Sequence, residues 1–303
     1  MTVSIIGAGA EGSLFGGYFA AAGHDVSFLD IDRELTERID AEGITVRRPG
    51  TTDIEYEPFA TTDPAVIGES SFVFVLVKSQ DTRTAIENAA PMIGDETVVV
   101  TLQNGYTNYD TLREYADRVV AGTTKWGART LEPGVVVHDG QTGETAVGSH
   151  DQAAAAKAAE LMNGAGIDTE IVDDPVANVW NKAFIAVGVK PIAALTHLTD
   201  GQISTFEDAR VVMEGIVEEA AAVADAKGID GLVEDPIAYV HDFCAANSDH
   251  VSSALEDVRN ERRTELEDLN GYLVEAGSEL DVDTPYNELV MRLIRSRERA
   301  YGG

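Results

Sequence analysis

Two short stretches contain residues whose types and spacing could support chemistry. The first is Gly7-Ala8-Gly9-Ala10-Glu11-Gly12, three spaced glycines between an apolar run and a helical pattern. Such a turn brings backbone close to a pyrophosphate and directs a helix N-terminus toward its negative charge. The second contains Lys182, which stands in an otherwise apolar helix start, where loss of solvation would favour proton donation. A lysine that extends along the helix surface into solvent is the alternative.

The acidic residue Asp30 ends the next predicted strand, Val26-Ser27-Phe28-Leu29, eighteen residues beyond Gly12. An acid at this place accepts hydrogen bonds from the ribose hydroxyls of adenosine and favours NAD over NADP, whose 2′-phosphate it repels. Arg33 lies three residues further on and could pair with that phosphate. A cap for the helix predicted over 33–42 is the other interpretation of Asp30.

Polar residues follow two further apolar strands, which are predicted over 72–77 and 97–102. Lys78-Ser79-Gln80-Asp81 comes after the first and Gln103-Asn104-Gly105 after the second. Ligands of open α/β sheets bind at the carboxyl ends of strands, although ordinary turns have similar compositions. Further on, residues 134–147 alternate like a hairpin, with Asp139-Gly140 as its turn.

The pattern changes around Asp173-Asp174-Pro175, where helical periodicity replaces the strands. We predict an α/β Rossmann-like N-terminal domain with a parallel sheet over 1–174, followed by an all-α C-terminal domain over 175–303. The first domain would bind a dinucleotide, and the second would hold substrate and catalytic residues. The helices of the second half are predicted over 176–194, 206–226, 236–246, 264–276 and 285–296.

The composition excludes several classes of function. A formal net charge of −31, from 53 acidic and 22 basic residues, disfavours nucleic acid and anionic membranes as partners. The acids are dispersed along the chain, which favours a halophilic protein over one that is merely acidic. The lone Cys244 excludes intrachain disulfides and a cysteine-cluster metal site, and no metal is predicted. Apolar runs stay shorter than the roughly 20 residues that span a bilayer, so we predict a cytoplasmic protein.

The order of several short motifs resembles that of the ketopantoate reductase (2-dehydropantoate 2-reductase) family over nearly the whole chain. The motifs are Gly7-Ala8-Gly9-Ala10-Glu11-Gly12, Val77-Lys78, Gln103-Asn104-Gly105, Gly122-Thr123-Thr124, Gly127-Ala128-Arg129, Trp180-Asn181-Lys182, Ser252-Ser253, Thr264-Glu265-Leu266 and Leu269-Asn270-Gly271. The resemblance implies reduction of ketopantoate to pantoate by NAD(P)H, on the route to pantothenate and coenzyme A.

The resemblance also implies roles for individual residues. Lys182 matches the catalytic lysine, which binds the ketone and supplies a proton, and Glu265 matches the acid that engages substrate and lysine. Lys78 and Asn104 match residues on the cofactor side, with Asn104 also near the substrate. Ser253 matches a ligand of the substrate carboxylate.

The sequence departs from the family pattern at several positions. Ala186, Lys190 and His250 stand where the family has asparagines, and we expect Lys190 and His250 to contact a small anionic 2-oxo acid. Ile31 replaces the arginine that grips the 2′-phosphate, which agrees with NADH, while NADPH is the family default. Glu11 occupies a position that is usually apolar. Two alternative functions stay open: a reductase of another 2-oxo acid or imine, and a non-catalytic paralogue that binds the cofactor. The long helices could also form the face of a homodimer.

Overall fold

The computed structural model describes residues 1–139 and 144–301, which form two compact units. The N-terminal unit contains Met1–Gln103 and Thr107–Pro175, and the helical unit contains Asn104–Tyr106 and Val176–Gly303. The first has a mostly parallel sheet with helices, and the second is helical. The predicted fold class is therefore confirmed.

Much of the N-terminal unit alternates strands and helices, as is expected of a doubly wound sheet, but it also contains two runs of consecutive strands. Its strands are β1 (Thr2–Ile6), β2 (Asp25–Leu29), β3 (Ile44–Arg47), β4 (Ile54–Tyr56), β5 (Phe59–Thr61), β6 (Phe72–Val75), β7 (Val98–Thr101), β8 (Val119–Thr124), β9 (Gly127–Glu132), β10 (Val135–Asp139), β11 (Thr145–Gly148) and β12 (Thr169–Ile171). Its helices are α1 (Ala10–Ala21), α2 (Arg33–Glu42), α3 (Pro64–Ile67), α4 (Thr82–Asn88), α5 (Asn108–Arg113) and α6 (Gln152–Gly164).

The larger sheet has eight strands in the order β12-β11-β8-β7-β6-β1-β2-β5. Neighbours run parallel except where β11 meets β8. The register pairs Ile6 with both Leu29 and Val75, and Val75 with Thr101. The carboxyl ends of β1, β2, β6 and β7 are therefore level, and the residues that follow them line one edge of the sheet.

A second sheet has four strands in the order β4-β3-β10-β9. The strand β10 pairs with β3 and β9, whereas β11 pairs with β8 and β12 in the larger sheet. The hairpin predicted over 134–147 is therefore wrong, because its two strands, β10 and β11, belong to different sheets and do not pair with each other. Gly140, at its proposed turn, lies outside the described residues.

The helical unit packs its helices around a separate apolar core that includes Trp180, Phe184 and Leu273. Its helices are α7 (Pro175–Thr196), α8 (Asp200–Thr205), α9 (Glu207–Ala226), α10 (Pro236–Ala246), α11 (Ser253–Arg259), α12 (Tyr272–Glu279) and α13 (Pro285–Glu298). None of the helices in the described part of the chain is long and apolar enough to cross a membrane.

One predicted helix of this unit differs from the structure. The periodicity predicts a continuous helix over 264–276, but Glu267–Gly271 forms a π-helical turn that leads into α12. Before that turn, Thr264 donates to Glu298 Oε1 through both its amide and its hydroxyl, at 2.9 and 2.8 Å. These contacts to α13 hold the chain in a non-helical conformation, so that helical backbone begins later than predicted.

Candidate active site

The glycine turn between β1 and α1 combines tight packing with an open face. Gly7 has φ +101°, and a Cβ there would lie 2.9 Å from the carbonyl oxygen of Leu76. A Cβ on Gly12 would lie 2.0 Å from the carbonyl oxygen of Gly7, whereas a Cβ on Gly9 would meet nothing within 4 Å. Gly7 and Gly12 are therefore required by packing, while Gly9 leaves space for a ligand against the backbone.

The N-terminus of α1 lies at that open face. Gly9 is the N-cap residue and has no side chain with which to cap the first helical amides. The N-terminal amides of a helix and its dipole attract anions, so this end fits the pyrophosphate of a dinucleotide. Glu11 lies half-buried in the same turn.

Asp30 lies next to the glycine turn, at the end of β2. Its Oδ2 accepts a hydrogen bond from the amide of Ala8 at 2.7 Å, and its Oδ1 accepts one from the amide of Asp32 at 3.0 Å. The cap of α2 is Asp32, which accepts from the amide of Leu35 at 3.1 Å. The interpretation of Asp30 as the helix cap is therefore wrong. The following residue, Ile31, is 91% exposed.

The loop after β6 is joined to the end of β7 by buried polar side chains. Gln103 donates from Nε2 to the carbonyl oxygen of Val77 at 2.6 Å and to Oγ1 of Thr82 at 2.9 Å. Thr82 in turn donates to Oδ1 of Asn108 at 2.8 Å. These bonds fix the backbone on either side of the exposed Lys78. The sequence indicated a polar strand end at Gln103, but only the fold shows that this side chain positions the neighbouring loop.

Asn104, the next residue, belongs with the helical unit. Its Nδ2 donates to Oε2 of Glu265 at 3.3 Å, and both residues are half-buried. Two predicted site residues that are far apart in the sequence are thus in contact. An amide and a carboxylate beside each other can bind a polar ligand that both donates and accepts hydrogen bonds.

Lys182 lies half-buried on α7. Its neighbour Asn181 accepts a hydrogen bond at Oδ1 from the amide of Val233 at 2.9 Å. Trp180 is buried and packs on Tyr106 with 4.3 Å between ring centroids. The residues that precede Lys182 therefore anchor this turn of α7 to the rest of the helical unit.

A proline interrupts the hydrogen bonds of α7, and a buried polar network compensates. Pro191 has no amide proton, so the carbonyl of Val187 lacks its helical donor. Asn270 supplies that donor from Nδ2 at 3.1 Å and also donates to Oδ1 of Asn287 at 2.9 Å. Asn287 donates to Oε2 of Glu219 at 2.7 Å. The network ties α7, the π-helical turn, α13 and α9 together, a role for Asn270 that the sequence did not indicate.

His250 and Lys190, both predicted substrate contacts, lie near each other in the helical unit. His250 bonds through Nδ1 to Oδ2 of Asp200 at 2.8 Å, and this bond raises the pKa of His250 above its ordinary value. Burial and the charge of Lys190 oppose that rise, while Glu256 supports it. The chain thus brings a lysine and a protonatable imidazole to this part of the unit.

Ser253 is the exposed first residue of α11. The preceding Ser252 is buried and caps this helix by accepting at Oγ from the amide of Ala254 at 3.3 Å. The two serines therefore differ in role, and only Ser253 has its side chain in an exposed position. Ala186 is buried on α7.

The parallel sheet, the glycine turn with its acidic neighbour and the separate helical unit define a Rossmann-type dinucleotide-binding protein. Comparison with known families makes the assignment more specific. Residues 3–152 match the family model described as ketopantoate reductase PanE/ApbA, and residues 176–298 match its C-terminal counterpart. The chain belongs to the ketopantoate reductase family.

Individual relatives agree over the full length. The 2-dehydropantoate 2-reductase of Halobacterium salinarum is 33% identical, with 99% of each chain covered. A PanE/ApbA family ketopantoate reductase from Ralstonia eutropha is 29% identical with a TM-score of 0.90, and both chains are fully covered. D-mandelate dehydrogenase with NADH and anilino(oxo)acetate has a TM-score of 0.91 at 23% identity over 99% of each chain, which shows a shared fold.

Proposed function

We propose that this protein reduces ketopantoate to pantoate with a nicotinamide cofactor, in the synthesis of pantothenate and coenzyme A. The contact between Asn104 and Glu265 is the observation that supports this most directly, because it joins two residues to which the family resemblance assigns cofactor and substrate roles. The relative from Halobacterium salinarum bears the name of this activity and matches over nearly the whole chain.

The cofactor would be held by the N-terminal unit. The backbone from Gly7 to Gly12 would face the pyrophosphate, and Lys78 would lie on the ribose and nicotinamide side. Asp30, held beside Ala8 at 2.7 Å, would accept hydrogen bonds from the adenosine ribose and select NADH, since a carboxylate there repels a 2′-phosphate. The bound cofactor supplies a hydride to C2 of the substrate.

The protein's own residues would supply the proton and bind the substrate. Lys182 would donate from its ammonium group to the ketone oxygen as the hydride reaches C2, which gives the hydroxyl of the product. Glu265 would keep that lysine charged and hold the substrate hydroxyl together with Asn104. Ser253, Lys190 and His250 would bind the anionic end of the acid.

A steady-state assay tests the proposal. NADH and NADPH oxidation would be followed with ketopantoate and with simpler 2-oxo acids such as pyruvate, in high salt. We expect ketopantoate to give the highest kcat/KM, and NADH to be preferred. Equal turnover of every 2-oxo acid would contradict the proposed substrate, and absence of turnover with all of them would contradict the proposed reaction.

Lys182→Ala tests the proton donor. We expect kcat to fall about a hundredfold or more, the usual contribution of a positioned acid, with little change in cofactor affinity. Lys227→Ala is the control, because Lys227 lies above the ring of Tyr272 at 5.6 Å and has no proposed part in the reaction. A Lys182→Ala enzyme as active as this control would refute the assignment.

A further inference from the structure

Asp200 is a buried carboxylate that the proposed reaction does not use. It is the first residue of α8, and its side chain is only 1% exposed, whereas that of its partner His250 is 55% exposed. Besides the 2.8 Å contact between Oδ2 and Nδ1, the amide of Asp200 donates to the carbonyl oxygen of His250 at 3.2 Å. The two residues are therefore held together through both backbone and side chain.

The other oxygen of the Asp200 carboxylate also indicates that this group requires a positively charged partner. Asp200 Oδ1 is buried and has no hydrogen-bond partner among the described residues. Burying a carboxylate is costly unless a cation neutralises it. Burial and the nearby Asp200 raise the pKa of the Cys244 thiol to about 12, so that group stays neutral. His250 is the residue in direct contact with Asp200 that can supply this positive charge, by protonation of its imidazole.

The geometry determines what His250 can offer a ligand. Because Nδ1 is engaged by Asp200, the ring can present only Nε2 outward, and Nε2 of an imidazolium is a charged donor. The charged groups that act on this ring are Asp200 from α8, Lys190 from α7 and Glu256 from α11. Two cations, Lys190 and the imidazolium, repel each other in this arrangement, and an anion bound between them would remove that repulsion.

We propose that Asp200 is a positioning residue that fixes His250 beside Lys190, and that these two cations bind the anionic group of the 2-oxo acid. This inference rests on the proposed function for the identity of the acid. Asp200 thereby makes substrate binding depend on the protonation of His250.

The direction of the pH dependence follows from the hydrogen bond. Since the pKa of His250 is raised, the imidazolium is present below that pKa and is lost as the pH rises through it. The KM for the 2-oxo acid should therefore be lowest on the acid side and rise with pH. Without the carboxylate of Asp200, the same rise should begin at a lower pH.

Asp200→Asn tests the proposal, since it keeps the shape of the side chain and removes its charge. At a pH between the His250 pKa of the variant and that of the wild type, we expect the KM for ketopantoate to be about tenfold higher in the variant. This is the usual effect of losing a charged hydrogen bond, and kcat should be nearly unchanged. His250→Gln should have a raised KM that no longer changes over this pH range. Glu214→Gln is the matched control, because Glu214 makes the same kind of contact with His241 at 3.0 Å.

Proton NMR of the histidine rings gives a second measurement that needs no turnover. The His250 signal is identified by its loss in His250→Gln, and its titration should move to lower pH in Asp200→Asn. Adding pantoate should raise the His250 pKa in the wild type. An unchanged titration in Asp200→Asn, or a shifted titration without any change in KM, would overturn the proposal.

The same spectra separate this inference from the proposed function. If the wild type fails to oxidise NADH or NADPH with ketopantoate, the proposed reaction is wrong. A pantoate-dependent shift of the His250 signal would then still support the anion site, and its absence would overturn that site as well. A merely structural role for Asp200 predicts lower thermal stability in Asp200→Asn with an unchanged pH profile of KM.

Discussion

Gly9→Ala and Gly12→Ala should affect different properties of the protein, although the two glycines stand three residues apart in one turn. The methyl group of Gly12→Ala would lie 2.0 Å from the carbonyl oxygen of Gly7, while that of Gly9→Ala would meet no atom within 4 Å. Gly9 has φ −70°, which alanine adopts readily. We therefore expect Gly12→Ala to lose stability, and Gly9→Ala to fold normally and lose cofactor affinity.

The sizes of the two effects follow from these distances. Overpacking costs about 1–3 kcal/mol, and the clash of Gly12→Ala is at the upper end because a backbone oxygen cannot rotate away. Alanine regains about 1 kcal/mol of helix propensity, so a net loss of about 2 kcal/mol remains. That corresponds to a Tm lower by about 4–8 °C in a domain of this size. For Gly9→Ala, loss of an acceptable N-cap and reduced freedom of the unfolded chain nearly cancel.

Thermal unfolding and fluorescence titration with NADH and NADPH measure both effects. We expect cofactor Kd to rise about tenfold or more in Gly9→Ala, because the methyl group fills the space against the backbone that a pyrophosphate would use. A Gly9→Ala protein that binds both cofactors like the wild type would refute the assignment of this face. A Gly12→Ala protein with wild-type Tm would refute the packing argument.

Four further predictions concern separate features. Asp30→Ala should weaken NADH binding about tenfold and leave NADPH binding nearly unchanged, measured by titration; a wild type that prefers NADPH would contradict it. Asn270→Leu should lower the free energy of unfolding by about 2–4 kcal/mol in a denaturant titration, because the Val187 carbonyl and Asn287 Oδ1 would lose their donor. Tyr106→Phe should leave that free energy equal or higher, since the Tyr106 hydroxyl is buried with no partner among the described residues. Raising KCl from about 0.1 M to about 1 M should increase Tm, because salt screens the repulsion within a chain of net charge −31; maximal stability in low salt would contradict it.

Local patterns were sufficient to predict the four neighbouring strands β1, β2, β6 and β7 of the larger sheet. The strands β6 and β7 are buried on both faces. A short, continuously apolar run of this kind is typical of a central strand in a parallel sheet, which is why both could be predicted. The helix α10 begins at Pro236 and ends at Ala246, as its periodicity predicts. The hairpin over 134–147 was wrong because alternation reveals strands but not which strands they pair with.

Some features of the site could likewise be predicted from the sequence, whereas others required the structure. The spacing of the glycines and the position of Asp30 after β2 follow from sequence alone, because a strand, a turn and a helix fix their geometry locally. Sequence left open whether Asp30 faces the cofactor ribose or caps α2, and the structure assigns the cap to Asp32. Asp30 and Asp32 are only two positions apart, and the periodicity of a helix does not locate its first residue that closely.

The sequence by itself determined the order of the elements, the glycine turn and the residue types available for chemistry, since each depends on neighbours within a few positions. Only the tertiary structure decided which distant residues meet. Asn104 reaches Glu265, Asn270 replaces the donor that Pro191 lacks, and Asp200 holds His250. The reason is physical: the contacts of Asn270 and Asp200 satisfy polar groups that burial would otherwise leave without a partner, and burial is a property of the folded chain.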